Sequence, residues 1–145
     1  MINILKIKSE IYKFAQKYGI KFIILFGSQV KETLKKESDF DVAISLNNGR
    51  SIFDDSKLYS ELLENFSHVF NAKEDKIDLT DLDKVNILLR YDVTSGGKLL
   101  YGDENNYAQY RAFAFREYID AKPLFRLEDY LINKRQRLIN EALLK

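Results

Sequence analysis

The chain has 145 residues, 46% of them hydrophobic and 31% charged, enough for one folded unit with a real core. Lys and Arg number 23 against 22 Asp and Glu, a net charge of +1, so no overall field draws the chain to nucleic acid or to an anionic membrane. The absence of Cys and the single His68 exclude disulfides, thiol catalysis, zinc–thiolate centres and multi-histidine metal sites.

Ile4, Ile7, Ile11, Phe14, Ala15 and Tyr18 recur at intervals of three and four, which predicts an amphipathic helix over 2–18, ended by Gly19. The apolar run Phe22-Ile23-Ile24-Leu25-Phe26 reads as a buried strand over 21–26. Ser28 then stands where a helix N-cap would, with a short helix expected over 28–36. Phe40, Val42 and Ile44 alternate with Asp39, Asp41 and Ala43, the period of a second strand over 39–46. Asn47-Asn48-Gly49-Arg50 is a turn. Asp54 or Asp55 is expected to cap a helix carrying Leu58, Leu62, Leu63, Phe66 and Phe70, with His68 on its surface or half-buried.

A third strand is expected over 76–80, with Ile77 and Leu79 inward and Asp78 on the other face. Asp81 is assigned as the cap of a helix running to about Tyr91, which Ser95-Gly96-Gly97 breaks. Residues 98–101 form a short edge strand. From Asp103 the pattern is helical, and Pro123, the only proline, is expected to end or kink that helix near Lys122. Helices alternating with strands predict an α/β sheet with helices packed on one side. The whole of 1–145 is read as one domain, a core over about 1–102 followed by a helical extension over about 103–145.

Gly27-Ser28, ten residues, then Asp39-Phe40-Asp41 carries the chemistry. Gly27 lets the backbone turn sharply and approach a ligand, and free amides and a hydroxyl after a strand suit the terminal phosphates of a nucleotide. Asp39 and Asp41 leave one face of the second strand about 6.6 Å apart, a spacing that suits two adjacent divalent cations. A lone Asp-x-Asp is more often merely solvated. Ordinary residue frequencies give the four residues at this spacing a chance match of roughly one in a thousand, which favours a functional site. General-base work falls to carboxylates, and any metal must take oxygen ligands, as Mg2+ or Mn2+ does.

Leu25-Phe26-Gly27-Ser28 through Ser38-Asp39-Phe40-Asp41-Val42 resembles the signature of the polymerase-beta-like nucleotidyltransferases. Within them, the chain is most similar to the minimal nucleotidyltransferases that act as antitoxins to HEPN-domain toxins. Lys76-Ile77-Asp78-Leu79-Thr80-Asp81-Leu82 fits the pattern that carries the third acid of that family, which makes Asp78 the third acid. The resemblance covers roughly Ile20 to Gly102. It implies a small mixed sheet with flanking helices and transfer of AMP from ATP to a hydroxyl, a tyrosine of a HEPN toxin being the expected acceptor. It also implies that Asp39, Asp41 and Asp78 are catalytic and hold two Mg2+ ions, with Mn2+ as a substitute, while Gly27 and Ser28 hold the nucleotide phosphates. Family members often carry Arg where this chain has Gln29, and Glu32 adds a negative charge, which leaves Lys31, Lys35 or Lys36 as candidate cationic partners. Ser38 is expected to support the metal-binding strand, and Asp81 to be structural.

Two other functions stay open on the sequence: transfer to a small hydroxylated molecule such as an aminoglycoside, and a non-catalytic antitoxin that neutralises its toxin by binding. Against the first, only about 40 residues follow Tyr101, too few for the second domain that wraps such acceptors. Lys134, Arg135, Arg137 and Lys145, set against Glu141 and interleaved with Tyr130, Leu131, Leu138 and Leu143, are either a solvated helix face or a docking stripe for a partner or a second copy. No apolar stretch approaches the ~20 residues of a membrane span. The opening Met1-Ile2-Asn3-Ile4-Leu5-Lys6 is broken by charge too early for a secretory signal, so a cytoplasmic location is expected.

Overall fold

The computed structural model of the chain describes residues 3–30 and 39–144. Four helices and four strands follow in the order α1 (Ile4–Ala15), β1 (Ile20–Phe26), β2 (Phe40–Leu46), α2 (Ser56–Phe70), β3 (Ile77–Asp81), α3 (Ile87–Gly96), β4 (Lys98–Tyr101) and α4 (Glu104–Leu143). The strands form one mixed sheet in the order β3-β2-β1-β4. β1 runs antiparallel to both β2 and β4, and β2 runs parallel to β3. This is the small mixed sheet with flanking helices that the resemblance implies. Among the described residues no helix is long and apolar enough to cross a membrane.

Helices cover both faces of the sheet, which corrects the expectation of helices on one side. On the first face α1 and α2 place Ile11, Phe14, Leu62 and Phe66 over Ile23, Leu25, Val42, Ile44 and Leu79. The rings of Phe14 and Phe66 meet edge to face at 5.3 Å. On the second face Val93 of α3 and Tyr107 of α4 cover Phe22, Ile24 and Ala43. The reason is legible in β1 itself: Phe22, Ile23, Ile24 and Leu25 are all buried, and a strand apolar at consecutive positions needs cover on both sides.

Local signals explain most element ends. Asn3 caps α1, and Asp55, rather than Asp54, caps α2 by accepting from the amides of Lys57 and Leu58. Asp54 instead accepts from the Ser51 amide at 3.2 Å. Asn48 and Gly49 make their turn with φ of 63° and 68°. His68 is exposed.

Asp81 does not cap α3, because it is the last residue of β3, six residues before that helix starts. Asn86 is the cap, accepting from the Leu89 amide at 2.9 Å. Asp81 lies 2% exposed, takes a hydrogen bond from the Asp83 amide at 3.0 Å, and leaves its Oδ2 buried without a partner.

Pro123 does not end the last helix either: α4 runs unbroken for 40 residues with Pro123 inside it, a length of about 60 Å. A proline frees a carbonyl one turn earlier, here that of Ile119, and Ile119, Lys122 and Pro123 are all exposed, so water can take that bond. Only the first half of α4 packs on the domain, through Tyr107, Ala114 and Ala121. Arg90 of α3 anchors it with a two-pronged ion pair to Glu117 at 2.8 and 2.9 Å, and Tyr91 stacks on Tyr118 with centroids 4.1 Å apart.

Candidate active site

At the end of β1 the chain turns through Gly27 with φ of +77°, a conformation that costs other residues strain. A Cβ built at Gly27 would collide with Oδ2 of Asp41. Glycine is thus required twice, for the turn and for the carboxylate that lies against it. Ser28 sits exposed in a single helical turn over Gly27–Gln29, closed by the Val30 amide donating to Gly27 O at 3.2 Å. The residue before that turn is Phe26, so Ser28 is inside it and is not its cap. The continuation of the expected helix from 31 to 36, with Lys31, Glu32, Lys35 and Lys36, lies outside the described residues, as does Ser38.

Sheet register brings the acids together. Phe26 pairs with Asp41 across β1 and β2, and Asp41 pairs with Asp78 across the parallel β2 and β3. Asp39 precedes β2 by one residue and shares the face of Asp41 by the two-residue alternation of a strand. Burial pushes the Asp41 carboxyl pKa above its ordinary value. The charges of Asp78 and Asp39, and a hydrogen bond shared with Asp78, push it the same way. Asp39 and Asp78 are exposed, and Asp41 is half-buried between them.

Lys76 was not singled out from the sequence. Its Nζ lies 3.9 Å from Asp39 Oδ1. With side chains 48% and 58% exposed, the pair is held only weakly in water. Strand alternation carries the signal: Lys76 stands two residues before Asp78. Among the described residues the acids do not form a closed three-ligand cage, since Asp41 meets Asp78 while Asp39 engages Lys76.

A divalent cation nevertheless fits this donor set. All the donors are carboxylate oxygens, the type hard cations take, and the like-charge crowding that raises Asp41 is what a cation relieves. Asp39 can leave Lys76 at little cost.

Behind the site, Ser45 Oγ donates to Asp83 Oδ2 at 2.6 Å and Tyr110 lies 3.3 Å from Asp83 Oδ1. Burial pushes the Tyr110 phenol well above its ordinary value. Arg90 donates to the carbonyls of Leu82, Asp83 and Val85, each at 3.2 Å. This network fastens the loop after β3, and with it the strand of Asp78, to α3 and α4. No periodicity in the sequence announces it, since its members come from four separate segments.

The family profile described as Polymerase beta, Nucleotidyltransferase matches residues 9–106. The chain is 28% identical over 106 residues to the protein adenylyltransferase MntA of Aphanizomenon flos-aquae, a match that covers 63% of this chain and 65% of that relative. It is 35% identical over 63 residues to a putative protein adenylyltransferase of Methanocaldococcus jannaschii, covering 43% of this chain and 68% of that one. Among solved structures it resembles a chain from a toxin–antitoxin crystal structure with AMP-PNP, at TM-score 0.61 and 22% identity over 94% of this chain and 98% of that one. It also resembles one from the complex of the tri-AMPylated Shewanella oneidensis HEPN toxin with its MNT antitoxin, at TM-score 0.58 and 20% identity over 97% and 99%. At these identities the structures speak for the fold. The profile takes in the second half of α1, every element from β1 to β4, the turn at Gly27 and all three acids, and the chain belongs to the polymerase beta nucleotidyltransferase family.

Proposed function

We propose that this chain is an antitoxin that transfers AMP from ATP to a hydroxyl, a tyrosine being the expected acceptor, of a HEPN-type toxin and so neutralises it. The observation that carries the reading is the seating of Asp41: against the Gly27 turn on one side and in register with Asp78 on the other. A phosphate-binding turn and a carboxylate pair are thereby fused into one site. The relatives named protein adenylyltransferases, and the neighbouring structures with AMP-PNP and with an AMPylated HEPN toxin, support the same substrate and acceptor.

In this reading Gly27 and Ser28 hold the β- and γ-phosphates and leave the α-phosphorus facing the acids. Asp39, Asp41 and Asp78 would hold two Mg2+ ions, or Mn2+ in their place, which when bound neutralise the triphosphate and acidify the acceptor hydroxyl. Asp78 serves the acceptor side, where its exposure lets a protein hydroxyl approach. The acceptor oxygen attacks the α-phosphorus in line, its proton passes to a carboxylate of the cluster, and the bond to the β-phosphate oxygen breaks to release pyrophosphate. Catalysis rests on positioning and on neutralising developing charge. The half-buried, crowded Asp41 is the least replaceable of the three.

Incubation with ATP, Mg2+ and a HEPN protein encoded beside this chain, followed by intact-mass measurement, tests the proposal. Adenylyl adducts are expected on the HEPN protein, absent without Mg2+ and absent with Asp41→Asn. A stable complex that neutralises the toxin equally well with Asp41→Asn, and with no adduct, would establish the binding antitoxin instead.

A further inference from the structure

The second half of α4 leaves the domain bare: every side chain from 126 to 144 is exposed. Its surface is nonetheless not that of a solvated helix. The doublets Leu124-Phe125, Leu131-Ile132 and Leu138-Ile139 repeat every seven residues, the coiled-coil period, and so lie along one stripe. The five aliphatic members are between 44% and 63% exposed. At on the order of 100 Å2 of apolar surface per side chain, the stripe and its flanks approach the ~800 Å2 that each partner gives to a standard interface. A monomer seldom leaves so large a patch open to water.

Two charges interrupt the stripe, and they name its occupant. Glu128 and Arg135 lie between the doublets. The neighbours of Glu128 three and four residues away are Leu124, Phe125, Leu131 and Ile132, and those of Arg135 are Leu131, Ile132, Leu138 and Ile139. Neither has an opposite charge within reach on its own helix, since the two stand seven residues, about 10.5 Å, apart. Among the described residues neither takes part in an ion pair, the bridges being Lys76–Asp39 and Arg90–Glu117.

We propose that α4 pairs antiparallel with α4 of a second copy of this chain. The two-fold axis passes between Leu131 and Ile132. In that register Leu124 faces Ile139 of the second copy, Phe125 faces its Leu138, Leu131 faces its Ile132, and Glu128 faces its Arg135. Each stranded charge thus meets its complement twice over, and each apolar doublet meets another. A parallel pair would set Glu128 against Glu128 and Arg135 against Arg135 inside an apolar seam. Charges placed within such a seam set register and orientation. The two bodies lie at opposite ends of the pair.

The mass of the full chain in solution, measured by light scattering from micromolar to 100 µM, tests this. A dimer is expected, with Glu128→Arg and Arg135→Glu each raising the dissociation constant at least tenfold and the double exchange restoring it. Far-UV circular dichroism of each variant guards against misfolding, and restoration by the double exchange cannot come from damage. Spin labels at Asn133 and Asn140 fix direction: antiparallel pairing makes the axial separation at 140 longer than that at 133 by about 20 Å, parallel pairing makes them equal. A chain that is monomeric at 100 µM, or single exchanges without effect, or a double exchange that fails to restore the dimer, overturns the proposal and gives the stripe to a different protein.

Discussion

The sheet-built body and the free half of α4 use the same kinds of side chain to opposite ends. In the body, Ile11, Ile23, Ile24, Val42, Ile44, Leu62 and Phe66 are wholly buried, and sheet and helices close around them on two faces. In the free half, Leu131, Ile132 and Leu138 are more than half exposed. What separates the regions is not composition but whether the chain itself supplies a second layer. A sheet can be covered by its own crossover helices, whereas a helix that has left the domain has only what comes from outside. Apolar patterning therefore predicts burial in the first region and a docking surface in the second.

Breaking the body should cost most. Phe66→Ala removes a ring packed edge-on to Phe14 and stacked beside Phe70 at 5.9 Å, and should destabilise by about 3–5 kcal/mol, read from denaturant unfolding. Next comes the joint between the regions. Glu117→Ala leaves the Arg90 guanidinium, only 11% exposed, without its carboxylate, at a cost of about 1–3 kcal/mol. Hydrogen exchange in 107–121 and in the 82–85 loop should rise together, because Arg90 holds both.

Asp41→Asn should act in the other direction on stability. The folded protein raises the Asp41 pKa, so the contribution of this group is fully present below the unfolded pKa of ~3.9 and is lost as pH rises through the folded value. At pH 7 without metal the ionised carboxylate is a small liability, and Asn should stabilise by less than ~1 kcal/mol after solvent screening. The gain should shrink towards zero at acid pH, as thermal melts across pH will show. The smallest effect belongs to truncation after Lys122. Body stability should change by no more than ~0.5 kcal/mol, since among the described residues that are removed none is buried and only Phe125 is half-buried, while capture of a partner or second copy is lost.

Much of the site was readable because strand alternation and turn chemistry are local. The Gly27 turn, the shared face of Asp39 and Asp41, and Asp78 on the opposite face from Ile77 and Leu79 all follow from neighbours in sequence. What escaped depends on distant segments. The second layer of helices needs Phe22 and Ile24 to be seen as a second apolar face of β1. The Asp81 cap was misplaced because any acid after a strand looks like a cap, and only Asn86, beside the true first turn, shows otherwise. Pro123 misled because its penalty is set by solvent access to the freed carbonyl, and the Lys76–Asp39 contact needs the pairing of β2 with β3.

The length of α4 also governs how the molecule turns in solution. A body with a helix of about 60 Å seated at its side rotates more slowly end over end than about the helix axis. The amide N–H bonds of α4 lie along the helix axis, so only the slow end-over-end rotation reorients them, whereas those of the sheet point in other directions. Nitrogen relaxation in α4 therefore carries a long apparent correlation time for as long as the free half stays rigid, and the spread of values between helix and sheet measures that stiffness directly.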